Sequence, residues 1–357
     1  MNPGFAERGT VGGRPEVFDH ADRDAHRGSS RPDGEVSAPP LPYVLLAGLP
    51  ASGKSELRRY LASLDPSAAA RFGLGPTLHL DDYPYVHTMR LASRALRAAG
   101  LDPVFFEGDE LPFRDPVLWI VLTRLLAEDV ATLGSGDAGG SEPARWLLDR
   151  IDRQLDAVGL GARFPAGSSA RAVAADGITD FAEELRRERR SIARAWDGSQ
   201  TVLIEFARGG PQGSSPPLPY PLGYRWSLPE FPRQVLGSAG ILYVWVTPTE
   251  SLRRNRERAR PGGAASILHH GVPEEVMRRE YGTDDLLWLL EQNGGRAVVV
   301  ETHRERIEVP AAVFDNRTDH TSFLRDDPAT WPADAVAALH RRLEAAFAEI
   351  LDQRAVR

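Results

Sequence analysis

Apolar residues along this chain occur in two patterns, short continuous runs and longer segments with helical spacing. The short runs are bounded by glycine, proline and polar residues, as is typical of strands buried on both faces of a parallel sheet. These runs predict strands at residues 43–47, 77–80, 201–206, 241–246 and 311–314. Residues 297–301 predict an additional strand, paired with residues 307–309.

Helical spacing of apolar residues dominates the interval 84–200 and the end of the chain. A helix is predicted from about residue 53 to 64, and a second from 117 to 130, with Asp115 as its N-cap and Pro116 in its first turn. Further helices are predicted at 146–158 and 178–196. A last helix is predicted near the end of the chain, where apolar residues recur at three- and four-residue steps: Val336, Leu339, Leu343, Phe347 and Ile350. Strands alternating with helices favour an α/β fold in which helices flank a parallel sheet.

Two regions depart from this alternation. Residues 1–40 carry glycine, proline, serine and mixed charges without an apolar period, so they predict a disordered tail before a domain at 41–357. The mostly helical interval 84–200 is interpreted as an insertion into that domain, which caps the functional site.

Composition narrows the class of protein. The chain has 357 residues, 42% of them hydrophobic, with a net charge of −7 and no cysteine. The acidic balance disfavours a general nucleic-acid or membrane-surface binder. The absence of cysteine excludes disulfides and thiolate chemistry. No apolar run is long enough to span a membrane, and the N-terminus lacks an apolar signal core, so a cytoplasmic protein without a membrane partner is predicted.

Lys54 is the only lysine in the chain, and every other basic residue except histidine is arginine. It lies in a segment that matches the pattern G-x-x-x-x-G-K-[ST]: Gly48, Leu49, Pro50, Ala51, Ser52, Gly53, Lys54 and Ser55. This pattern is the phosphate-binding P-loop, and the predicted strand before it and helix after it are the context that the motif requires. A slender ammonium can enter such a loop, whereas a planar guanidinium is wider and prefers forked contacts.

The motif therefore predicts a P-loop NTPase-type sheet that binds ATP and Mg²⁺. Lys54 is expected to contact the β- and γ-phosphates, and the Ser55 hydroxyl to help hold Mg²⁺. Backbone amides at the start of the helix are expected to hold phosphate oxygens. The nucleotide-binding residues predicted from the motif are Gly48, Ala51, Ser52, Gly53, Lys54, Ser55 and Leu57.

The second predicted strand ends in His79-Leu80-Asp81-Asp82-Tyr83. Carboxylates at this edge of a parallel sheet face the ligand crevice. With the P-loop, this segment resembles the P-loop small-molecule kinases, such as uridine kinase and nicotinamide riboside kinase, which have an aspartate at this position. The resemblance implies that Asp81 or Asp82 accepts the proton of the substrate hydroxyl. The sequence does not decide between them.

The third predicted strand ends in Glu205, as in the uridine kinase relatives, where a carboxylate lies near Mg²⁺. The resemblance implies a metal-site role for Glu205. Arg208 follows closely and is predicted either to hold a substrate anion or to pair with Glu205.

An arginine-rich segment follows the fourth predicted strand and resembles the lid of P-loop kinases, whose arginines neutralise charge on the transferred phosphoryl group. Arg254 and Arg258 share one helix face by their i,i+4 spacing. The resemblance implies a catalytic role for both, against the alternative of a solvated helix.

Asn316 and Asp319 follow the fifth predicted strand. In kinases of this class a loop here lies against the adenine, so Asn316 is predicted to contact the nucleotide. The spacing is also similar to the guanine-reading motif of GTPases, but no Asp-x-x-Gly follows the third strand, which disfavours a GTPase.

Three other segments are predicted to contact the substrate. They are the aromatic and acidic loop 105–110, the proline-rich loop 217–231 with Tyr224, and the segment 266–271 with His269. For Tyr224 the alternatives are stacking on a substrate ring and packing in the core.

Together these features predict a kinase that transfers the γ-phosphoryl group of ATP to a hydroxyl of a small molecule. A nucleoside, a sugar and another polyol are all open as acceptors. A polynucleotide 5′-hydroxyl kinase is the first alternative, disfavoured by the acidic charge, and a nucleotide-binding regulatory ATPase is the second.

Overall fold

The first strand, β1 (Tyr43–Ala47), is buried on both faces, which places it in the middle of a sheet. Val44 and Leu46 pack into one hydrophobic cluster, whereas Leu45 and Ala47 pack into another on the opposite face. The computed structural model describes residues 39–135, 142–258 and 271–355. The predicted tail lies almost wholly outside these ranges.

Six strands form one sheet in the order β2-β3-β1-β4-β6-β5. All neighbours are parallel except β5, which pairs antiparallel with β6 at the edge. The remaining strands are β2 (Thr77–Asp81), β3 (Thr201–Glu205), β4 (Ala239–Trp245), β5 (Ala297–Glu301) and β6 (Arg306–Asp315). The chain leaves β1 toward β2 on one side and later returns to β4 on the other, so a crevice is expected beyond the carboxyl end of β1.

Helices cover both faces of the sheet. Their bounds are α1 (Lys54–Ala62), α2 (Pro66–Arg71), α3 (Tyr83–Ala98), α4 (Leu118–Ala131), α5 (Pro143–Ala157), α6 (Ser169–Ala195), α7 (Tyr224–Ser227), α8 (Arg233–Leu236), α9 (Pro248–Arg258), α10 (Glu274–Glu280), α11 (Leu286–Glu291) and α12 (Ala333–Ala355). Helices α1 and α12 share a hydrophobic cluster with one face of β1, and α4, α8 and α11 contribute to the cluster on the other face. A third cluster lies mainly among α3, α4, α5 and α6, so the helical interval has a core of its own.

The α/β architecture, with a mostly parallel sheet flanked by helices, agrees with the sequence prediction. The pairing of residues 297–301 with 307–309 is also confirmed. One correction concerns β6, because residues 307–309 and 311–314 form a single strand and not two. No described helix has the length and apolar character needed to cross a membrane.

Helix α6 begins at Ser169, nine residues before the predicted start at 178. The Ser168 side chain caps it by accepting the Arg171 N–H. Gly177 weakens the helical pattern in the sequence, yet a Cβ there would lie only 2.5 Å from the Cβ of Ala95 on α3. The glycine therefore permits close contact between two helices and does not end α6.

Candidate functional site

The loop between β1 and α1 contains three residues in the left-handed backbone region. Gly48 has φ 140°, Ala51 φ 55° and Gly53 φ 110°. A Cβ on Gly48 would lie 2.4 Å from the Val244 carbonyl oxygen, and one on Gly53 would lie 2.6 Å from Thr321 Oγ1. Glycine is therefore required at both positions, because φ is positive and a Cβ atom would clash with its neighbours.

Helix α1 begins directly after this loop, and its N-cap residue Gly53 supplies no side-chain hydrogen bond. The first amides of a helix lack intrahelical partners, and the helix dipole favours an anion there. Ser52 Oγ is buried and has no hydrogen-bond partner among the described residues. This end of α1 thus offers donors to a negatively charged ligand.

Lys54 is 5% exposed, and its Nζ donates to the carbonyl oxygens of Gly48 and Leu49, each at 2.8 Å. Burial lowers the pKa of Lys54 to about 8, while the carboxylates of Glu205 and Asp82 oppose that shift. The ammonium is therefore held inside the loop with no described carboxylate within ion-pair distance. Leu57, which was also predicted to bind nucleotide, is instead fully buried in the core beneath α1.

Glu205 lies at the end of β3, where the Ser55 hydroxyl donates to its Oε1 at 2.6 Å. Arg58 Nε is 3.4 Å and His79 Nε2 3.7 Å from its Oε2. Burial by itself would raise the pKa of Glu205, but His79, Arg58 and Lys54 lower it to about 2. Glu205 is therefore ionised beside Ser55. Arg58 was missed in the sequence, although it is one helical turn from Lys54.

Asp81 and Asp82 lie at the end of β2, next to β3, and Asp81 is paired in register with Glu205. Both oxygens of Asp81 have neighbours, because Oδ1 accepts the Tyr83 N–H at 3.1 Å and Oδ2 lies 3.3 Å from His79 Nε2. Asp82 Oδ2 pairs with Arg208, while its Oδ1 has no hydrogen-bond partner among the described residues. Burial raises the pKa of both carboxyl groups. His79 lowers the pKa of Asp81 and Arg208 lowers that of Asp82, but burial has the larger effect in each case.

Arg208 is 1% exposed and does not line the cavity described below. Besides Asp82, it donates to Thr123 Oγ1 at 2.7 Å and to Ser227 Oγ at 3.1 Å. The predicted pairing of Arg208 with Glu205 is therefore wrong, because Arg208 pairs with Asp82, and its burial disfavours the other prediction, contact with a substrate anion. Arg208 instead fixes the orientation of Asp82.

Tyr224 is fully buried, and its hydroxyl accepts the Gly48 N–H at 2.6 Å. The hydroxyl also lies within donating distance of the Gly48 and Phe206 carbonyl oxygens, at 3.1 and 3.3 Å. Of the two alternatives for Tyr224, the structure shows core packing, and the tyrosine supports the glycine-rich loop from below.

The two predicted lid arginines have different surroundings. Arg254 is 1% exposed, pairs with Glu250 at 2.6 Å and donates to the Asn316 carbonyl oxygen at 2.7 Å. Arg258 lines the cavity and pairs with Glu56. Arg254 is therefore a correction to the prediction, because its ion pair and its contact with the Asn316 carbonyl hold it away from the cavity.

Asn316 is likewise fully buried. Its Nδ2 donates to the Ser52 carbonyl oxygen at 2.7 Å and to Thr321 Oγ1 at 3.0 Å. These contacts support the loop from the side of β6, so the amide group of Asn316 is not available to contact a nucleotide. His269 lies outside the described residues.

A cavity of about 460 Å³ lies above the loop. The predicted residues that line it are Ala51, Gly53, Lys54, Ser55, Asp81, Asp82, Glu205 and Arg258. Of the loop 105–110, Phe106, Asp109 and Glu110 also line it, whereas none of residues 217–231 does. Sequence analysis did not identify Arg90 and Arg94 on α3 as lining residues, although their spacing of one helical turn could have indicated a shared face. It also did not identify Glu280 on α10, for which the sequence contains no such indication.

A scan against models of known protein families finds no match to this chain, and a search of curated proteins finds none either. The chemistry of the site itself remains informative. The start of a helix, a buried lysine and a carboxylate with one oxygen that has no partner among the described residues face one cavity. Such a set can bind a charged ligand and accept a proton from a second molecule beside it.

Proposed function

We propose that this protein is an ATP-dependent kinase of the P-loop class, which transfers the γ-phosphoryl group to a hydroxyl of a small molecule. The observation that carries the proposal is that Lys54, Ser55 and Asp82 line the same cavity. Phosphoryl transfer requires a phosphate-binding group and a positioned base at adjacent points of one site.

The loop has the donor set for a polyphosphate. The start of α1 offers backbone amides, and Ser52 Oγ is a buried hydroxyl without a partner among the described residues. Among the described residues, the partners of Lys54 Nζ are two carbonyl oxygens, so β- and γ-phosphate oxygens would be stronger partners for it. The lysine charge would then be compensated inside the loop.

Ser55 and Glu205 would hold Mg²⁺. The described residues include no group of three or more histidine and carboxylate side chains that could hold a metal alone. That suits Mg²⁺, which takes most of its ligands from phosphates and water and only one or two from carboxylates. The ion, when bound, supplies charge neutralisation at the β- and γ-phosphates.

Asp82 is assigned as the general base. The acceptor oxygen attacks the γ-phosphorus, the bond from that phosphorus to the β,γ-bridging oxygen breaks, and ADP leaves. The hydroxyl proton goes to Asp82 Oδ1, while Arg208 holds Oδ2. The burial that raises the pKa of Asp82 makes it a stronger base than an exposed aspartate.

Arg258 would stabilise the transferring group, a role supported by its position in the lining of the cavity that also contains Lys54. Arg254 has a positioning role, since it holds the segment around Asn316 that supports Ser52.

The test is transfer of labelled γ-phosphate from ATP to a panel of nucleosides, sugars, cyclitols and 5′-hydroxyl RNA. The variants are Lys54→Ala and, as a matched control, Arg145→Ala, which removes an exposed cation on α5. We expect label on a small acceptor with the wild type and with Arg145→Ala. Loss of a phosphate-binding lysine is expected to lower the rate by about 10²-fold or more.

The other outcomes separate the alternatives. Label only on RNA would favour a polynucleotide kinase. Label released only as inorganic phosphate across the panel would favour an ATPase and contradict transfer. ATP binding that is unchanged in Lys54→Ala would contradict the assignment of the loop.

A further inference from the structure

Four aromatic rings along the cavity contact one another in a row. Phe106 stacks on Phe113 with centroids 4.4 Å apart, Phe113 meets Trp119 edge-on at 5.0 Å, and Trp119 meets Tyr281 at 5.4 Å. All four line the cavity. Ring faces and edges of this kind favour an apolar or aromatic ligand body over a small, fully hydroxylated one.

Glu280 lies among these rings. It is 7% exposed and lines the cavity, and its Oε1 accepts the Phe113 N–H at 3.2 Å. No described basic side chain lies within ion-pair distance of this carboxyl group. A buried carboxyl without a cationic partner is costly, and a ligand that hydrogen-bonds to it would offset that cost.

The nearby cations have other partners. Arg90 lies over the Phe106 ring at 4.1 Å and donates to the Asp109 carbonyl oxygen. Arg94 and Arg97 both pair with the Asp109 carboxylate. Arg90 and Arg94 line the cavity together with three nearby carboxyl groups, those of Asp109, Glu110 and Glu280. This excess of acidic groups leaves little attraction for an anionic acceptor.

We infer that Glu280 determines acceptor specificity, and that the acceptor is an uncharged alcohol with an apolar ring body and a hydrogen-bond donor that binds Glu280. The inference rests on the proposed kinase activity and narrows its substrate class. Small polyols would leave the rings uncovered, and carboxylated or phosphorylated alcohols would meet the excess of acidic groups around Glu280. Burial raises the pKa of Glu280 to about 7, although the Phe113 N–H, Trp119 and Arg90 each oppose this shift.

The test compares two acceptors that differ by one O-methyl group, 3-hydroxybenzyl alcohol and 3-methoxybenzyl alcohol, and a second pair that differs by one N-methyl group, uridine and N3-methyluridine. In each pair only the first offers the donor. Glycerol, glucose and glycerate represent polyols and anions. The variants are Glu280→Met, which keeps the length without the carboxyl, and Glu275→Gln, which changes an exposed glutamate of the same helix.

We expect wild type and Glu275→Gln to phosphorylate donor-bearing ring alcohols with kcat/KM about tenfold or more above their blocked partners, the polyols and glycerate. Glu280→Met should remove that preference through KM, with kcat kept within about twofold for the blocked alcohols. The Phe113 N–H loses its acceptor in this variant, so a modest fall in Tm is expected, and the readout is selectivity within each acceptor pair.

Several results would overturn the inference while leaving the kinase proposal intact. One is a wild-type preference for polyols or glycerate. Another is a Glu280→Met variant that slows all acceptors equally, because that would show a structural role alone. ATP hydrolysis that depends on Lys54, with no transfer to any acceptor, would contradict the kinase proposal and this inference together.

Discussion

At the scale of single residues, the site depends on which oxygen atoms retain hydrogen-bonding capacity. Asp81 and Asp82 are adjacent and both face the cavity, yet only Asp82 has an oxygen without a partner among the described residues. The two aspartates differ because His79 and Tyr83 contact the two oxygens of Asp81, whereas Arg208 contacts one oxygen of Asp82.

The residue-scale prediction is that Asp82→Asn lowers kcat for phosphoryl transfer by about 10²–10⁴-fold, as for loss of a general base. Asp81→Asn should lower it by no more than about tenfold, because both Asp81 oxygens already have neighbours. The wild-type rate should decline at acid pH as Asp82 becomes protonated, and Asp82→Asn should lose that decline. Rates measured from pH 5 to 8 check this, and equal losses in both variants would contradict the assignment.

At the scale of elements, a buried ionic cluster joins the helical interval to the end of β2. Arg189 on α6 and Arg150 on α5 both pair with Asp129 on α4, at 2.9 and 2.8 Å. Arg189 also donates to the Asp81 carbonyl oxygen at 3.2 Å. The packing of three helices is therefore connected to the position of the carboxylates in the site.

Arg189→Leu is expected to lower the free energy of unfolding by about 3–5 kcal/mol, because it leaves Asp129 buried with one of its two cations missing. Arg187→Leu, an exposed position on the same helix, is the matched control and should change stability by less than about 0.5 kcal/mol. Urea unfolding measures both. A similar loss in the two variants would show that helix propensity, and not the ion cluster, causes the effect.

At the scale of the whole molecule, Glu56 joins three parts of the chain around the loop. It is fully buried in α1 and pairs with Arg258 at the end of α9 and with Arg325, which lies before α12. Burial by itself would raise the pKa of Glu56, but Arg258 and Arg325 lower it below its ordinary value. Its ionised form therefore stabilises the folded protein.

Glu56→Gln is expected to lower the free energy of unfolding at pH 7 by at least about 3 kcal/mol, because two arginines lose their common anion. A carboxyl with a lowered folded pKa stabilises above its unfolded pKa, and this contribution is lost as pH falls through the folded value. The difference between wild type and variant should therefore shrink at acid pH. Urea unfolding at pH 7 and pH 3 tests this, and a difference independent of pH would contradict it.

The sequence by itself determined the features that depend on neighbouring residues. The apolar runs, the glycine-rich loop with Lys54 and the carboxylates at strand ends were predictable, because backbone conformation and strand order place them at one edge of a sheet. Positive φ at Gly48 and Gly53 is a local requirement of the same kind.

Only the tertiary structure decided the features that join distant residues. Tyr224 bonds Gly48 across 176 positions, and Arg208 bonds Asp82 across 126, so no local pattern could reveal either contact. The same holds for Arg254, which is buried, and Arg258, which reaches the cavity, although the two share one helix face in the sequence. Glu280 is an ordinary glutamate in the sequence, and its environment exists only because α10 packs against the rings of the loop at 105–113 and α4.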